Sequence, residues 1–342
     1  MKRSVLLLLL VLLLSIFVVL PLAAAGQQDE AAATPSAPQR TYIMVTTAGT
    51  GGTYYPMGVG MSTLWNDKLR AANGIVASAQ SSGGSVENIN ILEAKEAELA
   101  ILQADIGALA WAGQAPFTKK HTDLRSITAL WPSQVQFVVR KDKIKTGNIT
   151  DIKGLSFSLG AAGSGIERTA LMTLEGIGMS IKDIKAHYLG YVEASNAMKD
   201  GNLDGSTLQG GAPVSAVSDL FASPLDVDIL QYTQAQVDQI NEVFNAYFLD
   251  TIPAGTYPGQ TEDRKTLGIT NFLAVRQDLS EEVVYLLTKT LFENLKYMIS
   301  VHPAAKNITL EKALAGLPVP LHPGAYKFYM EVGVQIPEKL KP

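Results

Sequence analysis

The stretch TYIMVTTAGTGGTYYPMG, residues 41–58, decides the fold class. Its first part is short and apolar and reads as a strand over Tyr42–Thr46. Glycine and threonine then crowd into Thr47 to Thr53, and Tyr55–Arg70 reads as a helix. A strand feeding a glycine-rich turn and then a helix is the opening unit of an α/β fold. The turn sets unpaired N–H groups of the first helical turn beside a backbone with little side chain. It can hold a phosphate or a carboxylate, or it can be a tight turn and nothing more.

The same alternation runs outward from this unit. Val76–Ala79 is expected as a strand, Ser85–Lys95 as a helix and Leu99–Gln103 as a strand, followed by a turn at Ala104-Asp105. Ser126–Trp131 and Val135–Arg140 read as two strands separated by Trp131-Pro132-Ser133. A charged, turn-rich passage begins at Lys141, and the pattern restarts with strand Leu155–Leu159, helix Ile166–Gly176 and strand His187–Leu189. Helix Glu193–Lys199, strand Leu203–Leu208 and helix Ser215–Phe221 follow. Strand-like Leu267–Arg276 leads back ahead of helix Ser280–Ile299, where Ser280 offers a hydroxyl cap and Glu281 and Glu282 early negative charge. Two α/β lobes are therefore expected, 41–136 plus 266–342 and 137–265, with a ligand cleft between them.

The chain opens MKRSVLLLLLVLLLSIFVVLPLAAAG. Lys2 and Arg3, the apolar run Val5–Leu20 and the small residues Ala23-Ala24-Ala25 make the pattern of a secretory signal over 1–25; the alternative is a retained N-terminal anchor. Residues 26–40 are small, polar and proline-containing, as in a flexible leader. There is no cysteine, which excludes disulfides, thiolate chemistry and lipid attachment through an N-terminal cysteine. A net charge of −4 without basic runs argues against a nucleic-acid partner.

Three loops resemble one another. Gly49, Thr50, Gly51, Gly52 and Thr53 follow the first strand; Ser81, Ser82 and Ser85 bracket two glycines; Gly163, Ser164 and Gly165 precede Ile166. Glycine lets a backbone approach a ligand and the hydroxyls add donors, so each suits an anion. Stricter enzyme motifs fail. A phosphate-binding loop of the nucleotidase type requires Lys-Ser/Thr where Tyr54-Tyr55 stand, and Tyr54 occupies the third glycine of a dinucleotide fingerprint. Ala162 and Ile166 replace the glycines of a nucleophile elbow around Ser164. His121, His187, His302 and His322 are scattered, two of them before prolines that suggest loops, so neither metal nor cofactor is expected. Other polar candidates sit at strand ends. Gln103 reaches a cleft or caps an edge, Gln134 lies at the crossing or on a surface turn, and Gln209 follows a strand. Tyr54 serves packing or recognition. Arg168 is a solvated helix charge or a bidentate carboxylate clamp.

Longer matches point to a family. The segments TAGTGGTYYPMG (47–58), SSGGSVENINIL (81–92), ELAILQAD (98–105), DIKGLSFSLGAAGSG (151–165), IPAGTYPG (252–259), TLGITNFLAV (266–275) and VHPAAKNITLEKALAGLPVPLHPGAYKFYMEVG (301–333) occur in order. Together they resemble the TAXI family of solute receptors, which serve tripartite ATP-independent periplasmic (TRAP) transporters. The resemblance covers nearly all of the body and is weakest over 212–245. It implies a type II periplasmic-binding-protein fold, an extracytoplasmic location and delivery of a small organic anion to TRAP permease subunits. The ligands it implies are glutamate, glutamine or a dicarboxylate such as 2-oxoglutarate, and it places the pocket on loops Gly49 to Tyr54, Ser81 to Ser85 and Gly163 to Gly165. A sensor with the same fold and an exported enzyme acting on a small acid are the rival readings; the second lacks a visible nucleophile, metal set or acid–base pair.

Overall fold

The computed structural model describes residues 39–342. The expected signal, and the leader up to residue 38, lie outside the described residues.

Ten strands form one mixed sheet in the order β2-β1-β3-β10-β4-β7-β5-β6. These are β1 Thr41–Thr46, β2 Ile75–Gln80, β3 Leu99–Gln103, β4 Leu124–Arg140, β5 Ser156–Ser158, β6 Lys185–His187, β7 Gly205–Gly210 and β10 Arg264–Arg276. β8 Val227–Ile229 pairs with β4 and β9 Tyr247–Ile252 pairs with β10. The helices are α1 Tyr54–Asn73, α2 Ser85–Glu93, α3 Ala104–Ala112, α4 Gly165–Gly176, α5 Tyr191–Lys199, α6 Ser215–Phe221, α7 Gln234–Val243, α8 Glu281–Glu293, α9 Leu295–Val301 and α10 Pro323–Glu331. Among the described residues, no helix is long and apolar enough to cross a membrane.

The sheet has two parallel ends joined by two long antiparallel strands. β2, β1 and β3 run parallel at one end, and β6, β5 and β7 at the other. β4 and β10 pair with each other between them and change core as they pass. β4 leaves one hydrophobic cluster at Trp131 and joins the next at Val135, while β10 leaves the second at Ile269 and joins the first at Phe272. Every residue of β3 and of β7 is buried, as covering on both faces requires. The outcome is the mixed α/β arrangement expected from the alternation.

Several elements differ from expectation for identifiable reasons. Pro132 does not split β4. The β7 ladder on one side of β4 begins only at Gln134, so Pro132, paired with Thr270 of β10, breaks no bond there by lacking an N–H. Ala104-Asp105 is not a turn but the first turn of α3, where the Asp105 carboxylate accepts from Ile106 N at 2.7 Å. The long helix expected to Ile299 is two helices, because Asn294 leaves helical geometry and gives its Nδ2 to Thr290 O at 2.8 Å. Ser280 stands at the N-cap of α8 but makes no capping bond. Gln209 lies inside β7 rather than after it, and β6 lies two residues earlier than expected. β8, α7 and β9 fall within or beside the stretch 212–245 where the sequence pattern was weakest.

Candidate functional site

The loops that leave β1, β2, β5 and β6, with the ends of β3 and β7, meet around one small cavity. Its walls are Ala48, Gly52, Thr53, Tyr54, Gly84, Ser85 and Gln103 from one side, Ser133 from β4, and Gly165, Ile166, Tyr191 and Gln209 from the other. These are the carboxyl ends of parallel strands, where open α/β sheets place their ligands.

Glycine makes the close approach possible at two points. A Cβ on Gly52 would lie 2.7 Å from the Tyr191 ring, and one on Gly165 would overlap Gln103 Oε1. Hydrogen bonds around the cavity close the gap between the halves. Thr53 Oγ1 donates to Gly211 O at 2.9 Å, and Ala216 N to Gly51 O at 3.1 Å. Gln103 Nε2 donates to Thr169 Oγ1 at 2.9 Å, and Tyr247 Oη to Asp105 Oδ2 at 2.8 Å. The remaining cavity, about 30 Å³, accepts guests of water size.

The wall carries several polar side chains but no cationic one. The Tyr54 hydroxyl donates to Asn271 Oδ1 at 2.5 Å, and Asn271 Nδ2 donates to Trp131 O at 2.8 Å and Ser133 Oγ at 2.7 Å. Tyr191 Oη donates to Gln209 O and accepts from Gln209 N at 3.1 Å. Burial pushes both phenols well above their ordinary range, so they act as neutral hydroxyls. Gln209 Oε1 is buried without a hydrogen-bond partner, an acceptor whose lost hydration a donor on a bound molecule would restore.

Of the residues singled out in the sequence, the structure brings Gly52, Thr53, Tyr54, Ser85, Gln103, Gly165 and Gln209 to this cavity. The others lie elsewhere. Gly49, Thr50 and Ser81 are exposed, Gly163 is exposed beside α4, and Gly51 packs against the Tyr191 Cβ. Ser82 ties its loop together, its Oγ lying 2.6 Å from Asn88 Oδ1 and 3.0 Å from Thr47 O. Ser164 caps α4 by accepting from Glu167 N at 3.1 Å. Gln134 bridges Asp250 and Ala212 N. Arg168 is half-buried with its Nε unpartnered and does not reach the cavity wall.

Two of the three loops already hold a carboxylate of their own. Gly83 N donates to Glu87 Oε2 at 2.7 Å, and Gly163 N to Glu167 Oε2 at 2.5 Å. The sequence carries this as glycine followed four residues later by glutamate, GGSVE and GSGIE. Asn271, Ser133, Tyr191 and Thr169 escaped the sequence reading. Asn271 was visible as an amide inside the apolar run GITNFLAV, and Tyr191 as an aromatic behind Gly190 at a strand–helix junction.

A larger cavity of about 440 Å³ lies at the opposite end of β3, β4 and β10, lined by Glu93, Lys95, Lys119, His121, Arg276 and Asp278 among others. Several of its charges are paired: Lys119 and His121 meet Glu93, and Lys95 and Arg276 meet Asp278. It lies away from the strand ends that converge between the halves.

Residues 45–333 match the NMT1-like family. The chain belongs to the NMT1-like family. Solved structures share its architecture. A protein of Bordetella bronchiseptica RB50 is 17% identical with a TM-score of 0.51, covering 89% of this chain and 85% of that one. PhnD1 from Prochlorococcus marinus (MIT 9301), solved in complex with methylphosphonate, is 13% identical with a TM-score of 0.50, covering 85% and 98%. The periplasmic aliphatic sulphonate binding protein SsuA from Escherichia coli is 13% identical with a TM-score of 0.47, covering 88% and 90%. The fold is one this chain shares with the Bordetella protein and with PhnD1.

Proposed function

We infer that this NMT1-like protein is an extracytoplasmic solute receptor of a transporter, of the TAXI type that serves TRAP permeases. Its lobes are 41–136 plus 266–342 and 137–265, and it closes them on a small organic acid. The observation that carries this reading is one cavity walled by the strand-end loops of both halves, sealed by hydrogen bonds that exist only when the halves meet. A solute that touches both walls draws the halves toward one another, because only then does it make both sets of contacts. The permease then reads the closed form.

The wall chemistry narrows the acid. With no cation on the wall, the first amides of α4 and the hydroxyl of Ser85 are left to hold one carboxylate. A second ionised carboxylate would be buried without a counter-charge, which is costly. Gln209 Oε1 is matched to an ammonium or amide donor. Among glutamate, glutamine and 2-oxoglutarate, an amino acid with a neutral side chain fits these walls best.

Native mass spectrometry of the purified chain, followed by a thermal-shift panel of amino acids and dicarboxylates, tests the proposal. A retained mass of an amino or organic acid, and a raised melting temperature with the same compound, is the expected outcome. Conversion of that compound to product would replace the receptor with an enzyme.

A further inference from the structure

Behind the cavity wall lies a buried polar chain that joins the halves. Gln103 at the end of β3 is tied by its Nε2 to Thr169 Oγ1 of α4. Thr169 Oγ1 stands 3.4 Å from Asp105 Oδ2 and 3.0 Å from Gly165 O. Asp105 at the start of α3 accepts from Tyr247 Oη of β9 at 2.8 Å. Asp105 and Thr169 are fully buried, and Gln103 and Tyr247 nearly so. Asp105 and Gln103 belong to the β1–β3 end, and Thr169 and Tyr247 pack with the second core, so parting the halves opens the chain to water.

We propose that Asp105 is the positioning residue that couples closure to the binding cavity: it receives Tyr247 from the other half, beside the Thr169 that holds Gln103. The proposal rests on the receptor reading above and adds its regulation. Thr169 holds the nitrogen end of the Gln103 amide, which leaves Oε1 facing Gly165 at the cavity.

The groups that face Asp105 are few. Tyr247 comes from β9 and Tyr54 from α1, and burial keeps both phenols neutral, the nearby Asp105 charge pushing each further up. Arg168 of α4 acts on the Tyr247 phenol but makes no ion pair with Asp105. Burial holds the Asp105 carboxyl up at about 6, although Tyr247, the Ile106 N–H and Thr169 all favour its ionised form. With the halves apart, water reaches the carboxyl and its value returns toward the ordinary ~3.9. The closed form therefore binds the proton more tightly, and closure strengthens as pH falls from about 7 toward about 4.

The chain has no cysteine, so spin labels on Lys68→Cys of α1 and Lys182→Cys beside β6 report the distance between halves without interference. The full chain is refolded from denaturant to strip bound solute, and electron–electron distances are measured from pH 7.5 to 4.5. The closed-to-open ratio should rise about tenfold between pH 7 and pH 5. Asp105→Asn should give a ratio that does not vary with pH. Tyr247→Phe keeps the carboxyl but removes a donor that favours its ionised form, so its midpoint should move to higher pH. That variant serves if Asp105→Asn does not fold. A Gly52→Ala background, which holds the halves apart, keeps the ratio measurable if the parent is already fully closed. A ratio independent of pH in both backgrounds, a slope that survives Asp105→Asn, or an unmoved midpoint in Tyr247→Phe overturns the proposal. No solute enters the measurement, so a failed ligand search bears on the receptor reading and a flat pH response bears on the latch.

Discussion

Gly52 shows how much one missing methyl group decides. Its Cα faces the Tyr191 ring so closely that an added Cβ would sit 2.7 Å away, nearer than carbon atoms approach without displacement. Gly52 has an ordinary backbone conformation, so alanine is accepted locally and the clash falls on closure alone. Gly52→Ala should leave the melting temperature of the chain unchanged while weakening its solute by tenfold or more in calorimetry. Unchanged affinity would mean that the halves need not approach this closely. Thr53→Ala removes one buried bond between the halves and should cost about 1 kcal/mol of affinity. Thr50→Ala, at an exposed hydroxyl one loop residue away from the wall, should cost nothing measurable.

At the level of elements, loops that look alike do different work. Ser164 heads α4 as an N-cap, so Ser164→Ala should lower stability by about 1 kcal/mol in urea unfolding and leave affinity alone. Ser280 occupies the same position on α8 without a capping bond, and Ser280→Ala should be nearly silent. If the two variants lost equal stability, the capping assignment of Ser164 would fail. The contrast also explains what the sequence can and cannot convey. Hydrophobic periodicity and glycine turns exposed the strand–helix alternation, hence the fold class and the loops that meet at the cleft. Which hydroxyl in a loop caps its own helix and which faces a cavity depends on contacts between distant elements, as with Thr53 and Gly211, and no local pattern encodes them. Pro132 misled for the same reason, since its harmlessness depends on where β7 begins to pair. The glutamates that occupy the Gly83 and Gly163 amides were not anticipated, although a carboxylate four residues on can fold back on the first helical turn.

Acidification acts on the molecule as a whole through histidines as well as through Asp105. His302 and His322 each precede a proline, and instead of lying in loops both stand at N-caps with that proline in the first turn. His302 Nδ1 accepts from Ala304 N at 3.1 Å and its Nε2 lies 3.1 Å from Pro213 O; His322 Nδ1 accepts from Gly324 N at 3.2 Å and its Nε2 lies 3.0 Å from Leu279 O. That pattern fixes each ring neutral with its proton on Nε2, since a carbonyl must receive a donor and Nδ1 must accept. Burial lowers both imidazoles below their ordinary value, outweighing the carbonyls that favour the charged form. The unfolded chain then binds protons that the folded chain refuses, so this contribution to stability is intact above about pH 6.5 and is lost as pH falls through the lowered folded values. Protonation also removes the Nδ1 acceptor and leaves a helix start uncapped. Asparagine keeps a side-chain acceptor at an N-cap and has no proton to gain. The double variant His302→Asn, His322→Asn should therefore lose less stability than the parent between pH 7 and pH 5, read as urea midpoints at the two pH values. An equal loss in both proteins would place the acid sensitivity elsewhere, while Asp105, whose raised value works in the opposite direction, remains unchanged in both and cancels from the comparison.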